Sequence, residues 1–183
     1  AVDALWLGWR WPKVWAVMMV AGYALYLTQL RPLSRPGWKF DPPTAFTFLG
    51  LAGGVAWSVL GLALAFGVVE DRWESRAAYG VCALLGWAVP WVMGQSHKIF
   101  PFLVWRSAYD DSDKPDVPQS TAMGRVELSW AAVVFLALGW PLTAGGLLCE
   151  NQFVVSSGLA FLLAGATAYA VQSLLWLSHL FSR

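Results

Sequence analysis

Five long apolar runs, separated by short charged stretches, constrain the fold of this chain more than any other feature. They cover residues 11–30, 44–69, 77–105, 126–148 and 153–177. A helix needs about 20 predominantly apolar residues to cross a hydrocarbon core of roughly 30 Å, and each run reaches that length. The runs are too long and too continuously apolar for the strands of a membrane barrel, which alternate over about ten residues. We therefore predict an all-α integral membrane protein, a bundle of about five transmembrane helices.

The composition agrees with this fold class. Hydrophobic residues make up 58% of the 183 positions and charged residues 13%, whereas about 25% of the residues of a soluble domain are charged. We treat residues 1–183 as a single transmembrane domain. A bundle of four spans, in which the first or the third run lies partly in the membrane interface, is the alternative. The net charge of +1 and the lack of any basic run indicate no nucleic-acid partner.

The basic residues of the loops predict an orientation. One side of the membrane would hold Arg10, Lys13, Arg72 and Arg76. The other would hold Arg31, Arg35, Lys39, Lys98, Arg106, Lys114, Arg125 and Arg183. Because cytoplasmic loops carry an excess of Lys and Arg, we expect the N-terminus outside and the C-terminus in the cytoplasm. The expected location is the bacterial inner membrane.

The second run carries a stripe of small residues. Gly50, Gly54 and Ser58 follow each other at four-residue spacing, and Gly61 lies nearby. Small residues on one helix face allow a neighbouring helix to approach closely in a membrane. The stripe predicts a helix-packing surface.

The third run contains polar residues between two prolines, Pro90 and Pro101. The segment 95–98 reads Gln-Ser-His-Lys, and polar groups inside an apolar span are functional candidates by default. In a structural interpretation, Lys98 extends its ammonium to the headgroups and Pro101 shapes the helix for packing. His97→Ala would then lower stability by only about 1 kcal/mol, as an interfacial substitution does, and Pro101→Ala would impair assembly more.

The two histidines, His97 and His179, are expected at similar depth on different helices, toward the same membrane face. Such a pair is what a haem b with two histidine ligands requires. The alternative is that each imidazole is satisfied by water, a carbonyl or a lipid phosphate. The sequence leaves both interpretations open.

The two cysteines, Cys82 and Cys149, are both predicted near the outer side of the membrane. An oxidising compartment would permit a disulfide between them. Cysteine is also a common small apolar residue inside helices, and we favour that interpretation.

The segment Gly94 to Trp105 resembles a motif of uncharacterised bacterial membrane proteins. These proteins are grouped with haem–copper-oxidase-like or NnrS-like families. The matching positions are Gly94, Lys98, Ile99, Pro101, Phe102, Leu103, Val104 and Trp105. A histidine follows the glycine directly in those proteins, whereas this chain has Gln95 there and its histidine at His97. The resemblance therefore implies a relative retained as a structural subunit.

Functional motifs are few. No Asp, Glu, Lys or Arg lies at the centre of an apolar run, which disfavours an ion-coupled carrier. No phosphate loop, HExxH or CxxC motif is present, so we do not expect an enzyme. We predict a non-catalytic subunit of a respiratory or photosynthetic electron-transfer complex. Its partners would be other membrane subunits and lipids, and also pigments or quinone.

Two alternatives to the subunit remain. The first is a small b-type cytochrome with haem between His97 and His179. The second is a passive carrier of small neutral solutes, based on Thr167, Gln172 and Ser173 in the last run.

Overall fold

The computed structural model describes residues 2–29, 40–109, 119 and 123–181, and the side chains of residues 12–29 within the first of these ranges. Its elements are α1 (Val2–Gln29), α2 (Pro42–Ala65), α3 (Trp73–Val81), a π-helical segment (Cys82–Ala88), α4 (Val89–Tyr109), α5 (Val126–Leu148) and α6 (Gln152–Ser178). The predicted all-α class is confirmed. Five of the basic residues used to predict the orientation lie outside the described residues: Arg31, Arg35, Lys39, Lys114 and Arg183.

The helices form a five-helix bundle, because α3, the π-helical segment and α4 are one continuous helix over Trp73–Tyr109. Four helices of the described part are long and apolar enough to cross a membrane: α2, the 73–109 helix, α5 and α6. α1 has 28 residues but is less apolar and is not among the four. We call the end where α2 and α5 begin, and where the 73–109 helix and α6 finish, the basic end.

The π-helical segment lies directly before a proline. Pro90 has no N–H, and in an α-helix its ring would clash with the carbonyl four residues earlier, that of Gly86. The wider π turn relieves this clash, and Val89 N–H bonds to the Leu84 carbonyl, five residues back. Pro90 itself is fully buried. The proline thus explains why a π turn interrupts the longest helix of the protein.

The closest helix crossing in the bundle joins α2 to this π-helical segment. Gly53 and Gly86 face each other, and a Cβ built on Gly53 would overlap the Gly86 carbonyl group. On its other side Gly86 receives the indole of Trp140 from α5, whose ring atoms would lie 3.1 Å from an added Cβ. Three helices therefore meet at two glycines.

α5 and α6 form an antiparallel hairpin with a narrow seam. On α5 the buried residues at alternating three- and four-residue spacing are Ser129, Ala132, Leu136, Gly139, Thr143 and Gly146. On α6 Gly158, Gly165 and Gln172 recur every seven residues and are buried. Heptad spacing keeps one face of each helix against its partner, and the small side chains bring the two backbones together.

The connection between α5 and α6 is only three residues long. Glu150 adopts a left-handed backbone, with φ 54°, and its carboxylate pairs with Arg72 in the loop after α2. Asn151 then caps α6 by accepting hydrogen bonds from the N–H groups of Phe153 and Val154. At this end of the bundle, opposite the basic end, hydrogen bonds from Arg76 lower the pKa of the Asp71 carboxyl.

The small residues of α2 contact aromatic side chains. A Cβ on Gly50 would lie 2.8 Å from Cδ1 of Trp91, and one on Gly61 would lie 2.9 Å from Cε2 of Tyr79. Gly54 faces the phenol of Tyr23 from α1, whose hydroxyl donates a 2.8 Å hydrogen bond to the Leu51 carbonyl. Ser58 is buried. The stripe lies in helix interfaces. Gly53 is not part of the regular spacing, but it makes the tightest of these contacts.

The Gly53 crossing can be tested with a single methyl group. Gly53→Ala should lower the free energy of unfolding by about 1–3 kcal/mol, because the methyl group overlaps a backbone carbonyl and the helices must separate. Gly80→Ala is the matched control on the partner helix, since nothing lies within 4 Å of the added Cβ. That variant should be neutral or stabilising by up to about 1 kcal/mol. Thermal unfolding in detergent measures both, and equal midpoints would contradict the crossing.

Candidate functional site

Polar side chains from four helices converge on a cavity of about 260 Å³ at the basic end. We call it the His97 cavity. Its described lining consists of Asp41, Pro42, Pro43, His97, Pro101, Gly124, Val126, Ser129, Gln172 and Trp176. The polar groups comprise a carboxylate, an imidazole, a hydroxyl, an amide and an indole. A concave site with a few convergent polar groups is the most common form of a ligand-binding site.

His97 is held by hydrogen bonds at both ring nitrogens. Nδ1 lies 2.8 Å from the Met93 carbonyl oxygen, so it must donate its hydrogen, because a carbonyl only accepts. In the neutral imidazole Nε2 then accepts from the Ser129 hydroxyl, at 3.0 Å. Ser129 belongs to α5 and is 4% exposed. The bond therefore joins the 73–109 helix to α5 through two polar groups inside the bundle.

Aromatic rings from the other two spanning helices enclose the imidazole. Its ring centroid lies 5.1 Å from that of Phe46 on α2. On α6 it lies 5.3 Å from Tyr169 and 5.1 Å from Trp176, the latter in an edge-to-face arrangement. His97 thus contacts all three other membrane-spanning helices. His97 is half-buried between helices, and one of its ring nitrogens is bound by a backbone carbonyl, one of the partners that the sequence interpretation allowed.

The inner wall of the cavity is formed by α6. Gln172 is 2% exposed, and its Oε1 accepts the backbone N–H of Arg125 at 3.1 Å. Its Nε2 faces Gly124, where an added Cβ would overlap that nitrogen and lie 2.5 Å from Trp176 Nε1. A residue without a side chain is therefore needed at position 124 for the chain to enter α5 so close to α6.

The outer wall is formed by the start of α2. Asp41 is the N-cap of that helix, and its Oδ1 accepts the N–H of Thr44 at 3.0 Å. Pro42 and Pro43 follow in the first turn, where a missing N–H has no effect on helix hydrogen bonding. Asp41 is exposed, and its carboxylate is close enough to His97 for the two groups to interact electrostatically.

His179 lies at the same end of the bundle, just after α6. Its Nδ1 is 3.1 Å from the Tyr109 hydroxyl, and its Nε2 is 3.2 Å from the Met123 carbonyl oxygen, to which it donates. All four ring nitrogens of the two histidines therefore have protein partners. A haem iron needs a free nitrogen lone pair from each axial histidine, so this arrangement does not fit a haem b without breaking a hydrogen bond at each residue.

The polar residues of α6 do not form a continuous path through the membrane. The Thr167 hydroxyl donates to the Leu163 carbonyl, and the Ser173 hydroxyl to the Tyr169 carbonyl. Thr167 is exposed on the outside of the bundle, whereas Gln172 is buried. This distribution gives no support to a solute carrier.

Cys82 and Cys149 are free thiols, the first buried and the second exposed.

Pro101 is buried and lines the cavity one turn beyond His97. Lys98, between them, is exposed. The helix remains continuous through Pro101. Ser96 satisfies its hydroxyl within its own helix, donating to the Val92 carbonyl at 2.5 Å.

No protein-family model, no curated protein and no solved structure matches this chain. The resemblance at Gly94 to Trp105 therefore stays a resemblance of one motif.

Several residues of the cavity were not singled out from the sequence. Asp41 lies between the first two predicted runs, and Ser129 lies within the fourth. An Asp directly before Pro-Pro is a helix N-cap signal, and it could have located the start of α2. Nothing in the sequence indicates that Ser129 would face His97, because that contact depends on how α5 packs.

The structural role of His97 can be tested by truncation. His97→Ala should lower the free energy of unfolding by about 2–4 kcal/mol, since it leaves a void and strips the buried Ser129 hydroxyl of its partner. Ser96→Ala is the matched control, because its hydrogen bond is local. It should change stability by less than about 0.5 kcal/mol. The measurement is thermal unfolding in detergent, and equal effects of the two substitutions would count against the His97–Ser129 bond.

The hydrogen bonds at the histidines also predict the spectrum of the protein. We expect the protein purified from its native membrane to show no α band of haem b in a reduced-minus-oxidised difference spectrum. A band that disappears in both His97→Ala and His179→Ala would establish the cytochrome alternative.

Proposed function

We propose that this protein is a non-catalytic, multi-span subunit that packs against other subunits of a membrane assembly of the electron-transfer class, respiratory or photosynthetic. The observation that carries the proposal is the exposed apolar surface of α1. Its described side chains are mostly exposed, and it is not among the four helices of the described part that are long and apolar enough to cross a membrane.

Among the described side chains of α1, only Ala16 is buried. Trp15, Met18 and Leu25 are 60%, 57% and 67% exposed. The helix packs mainly along α2, through contacts such as Tyr23 with Gly54. The open face of α1 is apolar, and a neighbouring protein helix can cover such a face by close side-chain packing.

A groove of about 350 Å³ also separates α1 from the rest of the bundle at the end opposite the basic end. Its walls include Pro12, Trp15 and Met19 of α1 and Leu64 and Tyr79 of the neighbouring helices. Such a gap is wide enough for a side chain of another subunit or an acyl chain. It supports a role for α1 in contacts beyond this chain.

The interior of the bundle supports a non-catalytic role. The buried polar residues of the described part are Thr44, Ser58, Ser75, Ser129, Thr143 and Gln172, with no Asp, Glu, Lys or Arg among them. Ion-coupled transport and proton pumping rely on ionisable groups at membrane depth. We infer that the protein contributes packing and binding surface to its assembly.

We further propose that the protein resides in a bacterial inner membrane with its basic end toward the cytoplasm. The sequence assigns eight Lys and Arg residues to that end and four to the other. Of these, Lys98, Arg106 and Arg125 are described at the basic end, and Lys13, Arg72 and Arg76 at the opposite end. This orientation follows the excess of Lys and Arg in cytoplasmic loops.

Photo-crosslinking from α1 tests the subunit proposal. A photoreactive amino acid at Met18 or Leu25 should yield crosslinks to another protein in native membranes. Leu163 and Leu174 on α6 are matched controls, because they are 70% and 65% exposed and lie on a helix apolar enough to face lipid. We expect mostly lipid adducts from those positions.

Native electrophoresis in mild detergent gives the second readout. The protein should migrate in a complex much heavier than its 20.1 kDa chain. Migration as a monomer, together with crosslinks only to lipid from α1, would rule the proposal out.

A further inference from the structure

We propose that the His97 cavity binds an organic ammonium group at the membrane surface, either the amine of a phospholipid headgroup or a free small amine. This inference does not rest on the subunit function, because it concerns the cavity at the basic end and not the surface of α1.

The charge of the cavity favours a cation. Asp41 is the one formally charged residue among the lining residues that the structure describes. In the hydrogen-bond network His97 is accommodated as a neutral imidazole, with a hydrogen on Nδ1 and a lone pair on Nε2. Oδ1 of Asp41 caps α2, and with no lysine or arginine in that described lining the carboxylate would repel an anion and attract a cation.

The different exposure of the two cavity walls determines how a ligand would be oriented. Asp41 is exposed at the outer wall, whereas Gln172 and Trp176 at the inner wall are 2% and 3% exposed. An ammonium group can thus pair with the carboxylate while its carbon atoms contact the prolines and the indole.

The size of the cavity limits the ligand to a small group. Its volume of about 260 Å³ is below the roughly 300 Å³ at which pockets for drug-sized molecules begin. A headgroup or a short amine fits this limit, whereas a haem does not. The cavity also lies where four membrane-spanning helices reach one end of the bundle, which is the level of lipid headgroups.

The test removes the charge of Asp41 and keeps the helix cap. In Asp41→Asn the side-chain oxygen can still accept the Thr44 N–H, and Asn is as good an N-cap as Asp. Glu127→Gln is the matched control, since Glu127 is an exposed acidic residue in the first turn of α5 at the same end and is not in the described lining. If Asp41→Asn fails to fold, Asp41→Ser replaces it, because serine also caps helices.

The full chain is exchanged into nanodiscs that contain equal amounts of phosphatidylethanolamine and phosphatidylglycerol, and native mass spectrometry counts the lipids retained. Wild-type protein and Glu127→Gln should retain phosphatidylethanolamine about tenfold better, and Asp41→Asn should lose that preference, the effect of about one charge pair. Equal retention of the two lipids by the wild type, or an unchanged preference in Asp41→Asn, would overturn the proposal.

The source of the amine is decided by competition. If millimolar ethanolamine displaces the retained lipid from the wild type but has no effect on the residual lipid of Asp41→Asn, the cavity accepts free amines. If ethanolamine does not compete while the lipid preference depends on Asp41, the ligand is the headgroup. Both results support ammonium binding, whereas retention of a co-purified quinone in place of phosphatidylethanolamine would contradict it.

Discussion

Close approach of helix backbones is the constraint on which this bundle depends. Lipid chains are as apolar as leucine, so helices in a membrane associate through packing and hydrogen bonds and not through the hydrophobic effect. Two sets of contacts meet this requirement here. The first is the crossing at Gly53 and Gly86, where the indole of Trp140 closes the third side. The second is the α5–α6 seam, where Gly158 lies against the Thr143 backbone.

Polar contacts of the described chain lie near both ends of the bundle, the ion pairs of Arg72 and Arg76 at one end and the hydrogen bonds of His97 at the other. This placement is consistent with the cost of burying polar groups in hydrocarbon. His97 contributes one hydrogen bond along its own helix and one to Ser129 on α5. Hydrogen bonding is less complete elsewhere in the interior. The indole N–H groups of Trp57, Trp91 and Trp140 have no hydrogen-bond partner in the described part of the chain. At the basic end the described chain combines buried polar groups with a cavity.

The length and apolarity of the runs were sufficient to predict helices. The predicted ranges 126–148 and 153–177 agree with α5 and α6 to within one residue at each end. The run at 77–105 was placed correctly, but its helix extends over Trp73–Tyr109, because amphipathic turns at both ends continue it beyond the apolar core. The first apolar run, 11–30, was predicted as a span, whereas the described part of α1 is not among the four helices that are long and apolar enough to cross a membrane.

The site was harder to predict than the fold. His97 could be identified because a histidine is rare in an apolar run, but its partners Phe46, Ser129 and Trp176 come from three other helices. Those contacts depend on helix rotation, and periodicity alone does not determine which residues of two helices meet. The same limit explains why Gly53 was missed beside the regular spacing of Gly50, Gly54 and Ser58.

The π turn before Pro90 also determines which side chains face the interior of the bundle in the rest of the 73–109 helix. Upstream of the turn, Ser75, Ala78 and Cys82 are buried. Continuing at α-helical spacing would bring positions 96, 100 and 103 to the inner face. The structure instead directs His97, Pro101 and Val104 inward, one residue later. One residue is about 100° of rotation in an α-helix. The extra residue accommodated by a proline in the middle of the membrane thus decides, three turns away, that an imidazole and not a serine faces the centre of the bundle.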